Sequence, residues 1–254
     1  MKYYKNGGIL LRKDSIKNLN KIDAIIFDCD GVLVDVSKSY DLAIKNTTKY
    51  VLDRMMGIKS IPVSSKIISG FKATGGFNDE VDVTYVSIIS IVAATRKSAE
   101  PKKFINKVIQ NANSTGIRSV EKYLDSISAD ISEIRTKLDY PGPHSTNPLY
   151  QIFDQMFYGE KLYKKIFNKK SLFKKGLIEN DLVLVKKNLL EILEKRFSKK
   201  IAIVTGRGKE STKYSLDDLF EKFDISSSFF LEDHPRKMAK PNPKSLIKIG
   251  RAHV

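Results

Sequence analysis

The stretch from Ala24 to Asp35, Ala-Ile-Ile-Phe-Asp-Cys-Asp-Gly-Val-Leu-Val-Asp, constrains this chain more than any other. Four apolar residues in a row, Ala24 to Phe27, predict a short strand buried on both faces. The run breaks into Asp28-Cys29-Asp30-Gly31. Residues two apart in an extended chain point the same way, so Asp28 and Asp30 leave the strand end on one side. Two carboxylates that close repel, so such a pair binds a cation, shares a proton or is split in role. Gly31 allows a sharp turn and a close approach to a ligand. The arrangement suits magnesium, which takes oxygen ligands and keeps bound water. It equally suits a carboxylate nucleophile with a second acid as proton donor. Asp and Gly are also at home in a plain surface turn after a strand, so the rest of the chain has to decide.

A second apolar run, Ile201-Ala202-Ile203-Val204, ends in Thr205-Gly206-Arg207-Gly208. A third, Ser228-Phe229-Phe230-Leu231, ends in Glu232-Asp233, and Lys240-Pro241-Asn242-Pro243 opens a last helix. Helical patterns near 209–222 separate these runs, and strand–helix alternation predicts a parallel sheet with helices on both faces. Ligands in such sheets sit beyond the carboxyl ends of the strands, so Asp28, Asp30, Thr205 and Lys240 can converge. Thr205-Gly206 offers a hydroxyl and an open amide to an anion. Lys240 brings a positive charge to offset carboxylates and a bound phosphate.

Between these runs the periodicity is helical. Tyr40, Ala43, Ile44, Thr47, Val51 and Met55 predict a helix over 37–56, closed by Gly57. Val81, Tyr85, Ile88, Ile89 and Val92 predict one buried face of a helix over 79–98. Shorter patterns follow near 102–112, 117–128, 130–138, 149–158 and 160–168, with a breaker-rich loop at 140–148. A long helix is expected over 180–196, with Leu182, Val185, Leu189, Ile192 and Leu193 inward. A short strand is expected at Ile9-Leu10-Leu11.

A net charge of +16 on 254 residues invites a nucleic-acid reading. The lysines, however, are spread over nearly the whole chain. Where they are densest, from Lys161 to Lys175, they alternate with Tyr163, Phe167 and Phe173, aromatics that suit a helix core while the lysines face water. Specific nucleic-acid binding is therefore not expected, and a general pull on anionic small molecules is. The single cysteine, Cys29, fits a reducing compartment and a small buried side chain between two acids. No apolar run of about 18 residues exists to span a membrane, and no secretory signal is evident, so a cytoplasmic location is expected. The three histidines, His144, His234 and His253, form no ligand cluster in the sequence, so zinc is not expected.

Taken in order, these segments resemble the haloacid dehalogenase superfamily of phosphatases, subfamily I, of the phosphoglycolate-phosphatase-like kind. Residues 28–35 are similar to the family's first motif, Ile203-Val204-Thr205-Gly206-Arg207 to its second and Lys240-Pro241-Asn242-Pro243 to its third. The resemblance is specific over 22–36 and 201–247. It is looser between them, where Gly75-Gly76-Phe77-Asn78 and Tyr158-Gly159-Glu160-Lys161-Leu162-Tyr163 resemble a little-characterised branch.

The resemblance implies a three-layer Rossmann-like α/β core, residues 1–36 and 198–254, with a large α-helical cap inserted over 37–197. It implies a phosphoric monoester hydrolase in which Asp28 attacks phosphorus and Asp30 protonates the leaving alcohol, then deprotonates the water. Thr205 and the Gly206 amide would hold the phosphoryl oxygens, and Lys240 would neutralise charge. Mg2+ would be held by Asp28 and by the backbone carbonyl of Asp30. Gly75, Gly76, Phe77, Asn78 and Arg207 are the candidate specificity elements, and the substrate would be a small phosphorylated metabolite. A phosphomutase, or a non-catalytic binding protein of the same fold, are the alternatives.

The family's fourth motif, an acidic pair after one more strand, should follow Lys240, but the sequence stops at Val254. Glu232-Asp233 come too early to supply it. The tail Ile249-Gly250-Arg251-Ala252-His253-Val254 reads like a translated sequencing adapter, so the C-terminal strand or strands of the core are expected to be missing, leaving the 23–28 strand at an edge and the chain as written a poor catalyst.

Overall fold

The computed structural model describes residues 3–6, 9–19, 21–59, 61–234, 240, 243, 244, 246 and 247. The adapter-like tail, Pro241 and Asn242 lie outside the described residues, as does most of the expected last helix. The chain divides into two compact units: one is Met1–Asp35 with Leu182–Val254, the other Val36–Asp181. Residues 182–197, expected with the helices, fall in the first unit with the sheet.

In chain order, β1 (Tyr3–Asn6) pairs antiparallel with β2 (Ile9–Arg12), followed by a one-turn helix, α1 (Ile16–Leu19). Then come β3 (Ile25–Phe27) and β4 (Val34–Asp35). The second unit holds α2 (Ser37–Tyr50), which runs on as a π-helical segment Val51–Met55, then α3 (Ser65–Ala73) and α4 (Glu80–Arg96). It continues with α5 (Pro101–Asn111), α6 (Ile117–Ser126), α7 (Ser132–Leu138) and α8 (Pro148–Phe167). The chain then returns to the first unit with β5 (Leu182–Val183), α9 (Lys187–Arg196), β6 (Ile201–Thr205), α10 (Lys209–Leu216) and β7 (Phe229–Phe230).

The first unit carries the expected parallel sheet, in the order β3-β6-β7. All five residues of β6 are buried, as befits the middle strand of a parallel sheet. β3 departs from expectation. It has one neighbour among the described strands, and Ile26 is 41% exposed, so the run is not buried on both faces. An apolar run fixes strand character, but which face is covered depends on what packs against it.

The expected 180–196 helix is likewise corrected. Leu182 and Val183 form β5 and pair antiparallel with Asp35 and Val34, while the Leu184 amide donates to Leu33 O at 2.8 Å. This pairing takes up backbone groups of the turn that follows Asp30, a demand no helical periodicity reveals. Helix begins only at Lys187. Leu190 is its buried residue, and Leu189 and Ile192 are exposed.

The second unit is organised on α4, which packs against α2, α3, α5, α6, α7 and α8. Rather than presenting one face, it is buried all round from Val83 to Ala94. Its hydroxyls are accommodated by turning back onto the helix: Thr84, Ser87 and Ser90 donate to the carbonyls four residues earlier at 2.9, 2.7 and 2.6 Å. α8 breaks at Gly159, as the separate 149–158 and 160–168 patterns predict, with φ +66° there. A Cβ on Gly159 would stand 2.3 Å from the Gly176 amide nitrogen, so two glycine backbones meet where no side chain fits. Tyr163 is buried and Phe167 packs on the same core, as their spacing among the lysines predicts.

Candidate functional site

β3 delivers Asp28 directly at its end. The Asp28 Oδ1 accepts the Cys29 amide at 2.8 Å and lies 2.9 Å from the Lys240 ammonium. Cys29 is buried, and its carbonyl gathers the amides of Val32, Leu33 and Val34 at 3.2, 2.8 and 3.0 Å. The Gly31 amide donates to Val34 O at 2.8 Å, with φ +74° at Gly31. The turn is thus wound around Cys29, with one carboxylate held before it and one after.

Asp30, partly exposed, lies against Arg207: Nε is 2.7 Å from Asp30 Oδ1. Arg207 is 2% exposed and its Nη1 donates to Ser215 Oγ at 2.7 Å. The side chain of Arg207, one of the candidate specificity elements, thus contacts the second acid of the turn.

β6 lies beside β3 in parallel register, Phe27 opposite Ile203, which carries Asp28 level with Val204 and puts Thr205 one residue further on. Thr205 is 0% exposed, and its hydroxyl accepts the Arg207 amide at 3.2 Å, keeping its own hydrogen to donate. Gly206 is exposed, with open space where a Cβ would project. The first amides of α10 are taken: Gly208 N donates to Glu232 Oε2 at 2.7 Å and Lys209 N to Asp233 Oδ2 at 2.9 Å. These two acids were legible only as a doublet after a strand. β7 runs parallel to β6, Phe230 opposite Thr205, and that register brings the doublet to the start of α10. Negative groups there complement the helix dipole.

The remaining candidates lie in the second unit, between α3 and α4. Gly75 and Asn78 are exposed. Phe77 is buried against Phe71, ring centroids 5.4 Å apart. A Cβ on Gly76 would stand 2.5 Å from Asn113 O and from Gly116 N. Gly76 and Phe77 therefore hold the loop to the helical core.

Sequence reasoning missed a polar group in this unit. His144 Nε2 lies 2.8 Å from Asp154 Oδ2 on α8, and its ring packs against that of Tyr150, centroids 4.3 Å apart and tilted by 41°. Burial pushes the Asp154 carboxyl above the usual carboxylate range, with His144 pulling it back. The Tyr150 hydroxyl donates to Asp79 Oδ2 at 2.7 Å, and that of Tyr140 to Asp82. A histidine in a breaker-rich loop gave no sign of a partner ten residues on.

The first-unit donors fit a hard divalent ion in kind. Asp28 is half exposed and no described residue donates to its Oδ2, so one carboxylate oxygen is available to such an ion.

No family model matches the sequence, and no curated protein matches it. Two solved structures are similar to it. One is a phosphatase, Tt82, from Thermococcus thioreducens: 24% identical, TM-score 0.60, over 89% of this chain and 78% of that one. The other is an X-ray structure from the Northeast Structural Genomics Consortium: 17% identical, TM-score 0.61, over 90% of this chain and 77% of that one. The likeness is one of fold: a mixed α/β chain with a parallel sheet and many helices, shared with a phosphatase. No helix among the described residues is long and apolar enough to cross a membrane.

Proposed function

We propose that this chain is a magnesium-dependent phosphatase of the haloacid dehalogenase type, acting on a small phosphorylated metabolite through an aspartyl-phosphate. The observation that carries the reading is the Lys240 ammonium on Asp28 Oδ1, 2.9 Å away, at the end of a strand whose second acid follows two residues later. Lysine and carboxylate come from opposite ends of the sequence, and the order of the strand ends brings them together.

An Asp28 oxygen attacks phosphorus, the bond from phosphorus to the ester oxygen breaks, and the leaving alkoxide takes the Asp30 proton. Asp30, now a carboxylate, takes a proton from water as that oxygen attacks the aspartyl-phosphate. The bond to Asp28 breaks and phosphate leaves. Thr205 and the Gly206 amide donate to the phosphoryl oxygens, and Lys240 offsets their charge, the compensation that phosphoryl transfer chiefly needs. Magnesium held by Asp28 and the Asp30 carbonyl would neutralise charge on the transferring group. The helical unit is inserted in the chain where the resemblance places a cap, and substrate choice is assigned to it in the same proposal.

A panel of phosphorylated metabolites, assayed for phosphate release with magnesium and after chelation, tests this. Release that requires the metal is expected for one small class of esters. Absence of release from every ester in the presence of magnesium would refute it.

A further inference from the structure

We infer that Arg207 is a positioning residue for Asp30, an inference that rests on the phosphatase reading above. Three contacts make Arg207 a tie between separate segments. Its Nε meets Asp30 Oδ1 at 2.7 Å, in the turn after β3. Its amide donates to Thr205 Oγ1 at the end of β6. Its Nη1 donates to Ser215 Oγ on α10, and Ser215 itself donates to Ser211 O at 3.2 Å.

At 2% exposure the guanidinium has no room to sweep out toward substrate. A buried cation is strongly unfavourable unless a carboxylate and hydrogen-bond acceptors lie around it, and Asp30 and Ser215 are among the groups it meets. The planar, always-charged group offers a fixed fork where a lysine would offer a mobile point charge. The contact is made at Oδ1 with the N–H off the hydrogen-bond axis, so the proton of the acid form is carried on Oδ2. Arg207 thus draws the partly exposed Asp30 carboxyl toward the strand tips. An acid that must meet the departing oxygen loses on the order of 100-fold in rate when displaced by about 1 Å. Arg207 touches neither substrate nor the reacting atoms in this scheme and acts through Asp30.

The test compares wild type, Arg207→Ala, Arg207→Lys and Ser215→Ala on two esters, with magnesium present. An alkyl phosphate needs its leaving oxygen protonated, whereas para-nitrophenyl phosphate releases its phenolate without a proton. Arg207→Ala should lower kcat/KM, which reports the steps through leaving-group expulsion, by roughly 100-fold on the alkyl ester and far less on the aryl ester; hydrolysis of the aspartyl-phosphate, which also uses Asp30, is common to both. Added guanidinium should restore part of the loss. Arg207→Lys should fall between. Ser215→Ala, which frees one end of the fork, should show the same leaving-group pattern more weakly and serves if Arg207→Ala does not fold. Folded variants whose kcat/KM falls equally on both esters, or not at all, would overturn the positioning role while leaving the phosphatase reading intact. A wild-type protein inactive on both esters and on the metabolite panel would overturn that reading and this inference together. A crystal structure of Arg207→Lys or Ser215→Ala with the Asp30 carboxyl unmoved would overturn the positioning role alone.

Discussion

The Lys240 ammonium lies 2.9 Å from the Asp28 oxygen that also accepts the Cys29 amide at 2.8 Å. That oxygen is therefore oriented by two donors, one local and one from far along the chain. Lys240→Ala should leave folding largely intact, since both side chains are half exposed. It should lower kcat by about 100- to 1,000-fold, the scale for losing one group that compensates transition-state charge. Steady-state phosphate release on any ester the wild type accepts checks this, and Lys240→Arg should recover part of the loss.

The second unit depends on close backbone contacts that no side chain can replace. Gly76 faces Gly116 so closely that a Cβ on Gly76 would stand 2.5 Å from the Gly116 nitrogen, and Gly116 has φ +64°. Gly76→Ala and Gly116→Ala should each destabilise the protein by about 1–3 kcal/mol, since backbone on both sides must shift. Thermal unfolding measures the effect. Gly206→Ala, with open space at its Cβ, should leave the midpoint nearly unchanged.

Asp154 gives stability a pH dependence. Burial raises its carboxyl in the folded state, with Asp79 adding to the rise and His144 opposing it. A folded-state value above the unfolded one favours the fold in the protonated form. Its stabilisation is therefore complete below the ordinary carboxylate value and is lost as pH rises through the folded value. Asp154→Asn, which cannot ionise, should gain stability relative to wild type as pH is raised from about 4 to 7. Melting temperatures across that range test the sign, and a difference that stays flat or falls contradicts it.

Glu232 and Asp233 take the first two amides at the start of α10, immediately after the Thr205-Gly206 turn. Glu232→Ala should cost about 1 kcal/mol, the usual cost of removing a capping acceptor. The same change should speed amide exchange at Gly208 more than at Lys209, which hydrogen-exchange measurements resolve.

The parts of this fold legible in the sequence are those written locally. Apolar runs ending in chemistry-bearing residues announce β3 and β6, and strand-end order anticipates the meeting of Lys240 with Asp28. Gly159 marks its own break in α8. What periodicity hides are pairings made across the chain. Leu182 and Val183 read as helix because their spacing fits one, yet they serve as the antiparallel partner of Val34 and Asp35. Arg207 is a candidate specificity element through the resemblance alone, and its burial beside Asp30 is a contact across the chain that its neighbours in sequence do not announce. The spacing of Val81, Tyr85, Ile88, Ile89 and Val92 reads as one buried face of α4, and its burial all round depends on surrounding helices that the sequence does not reveal.

The most direct test is phosphate release by Asp28→Asn beside wild type, with magnesium and the best substrate of the metabolite panel. An amide at position 28 keeps the size of the side chain and removes the attacking oxygen. Nucleophilic attack by Asp28 predicts a fall of roughly 1,000-fold or more, with an unchanged melting temperature. Turnover by Asp28→Asn at the wild-type rate would contradict it.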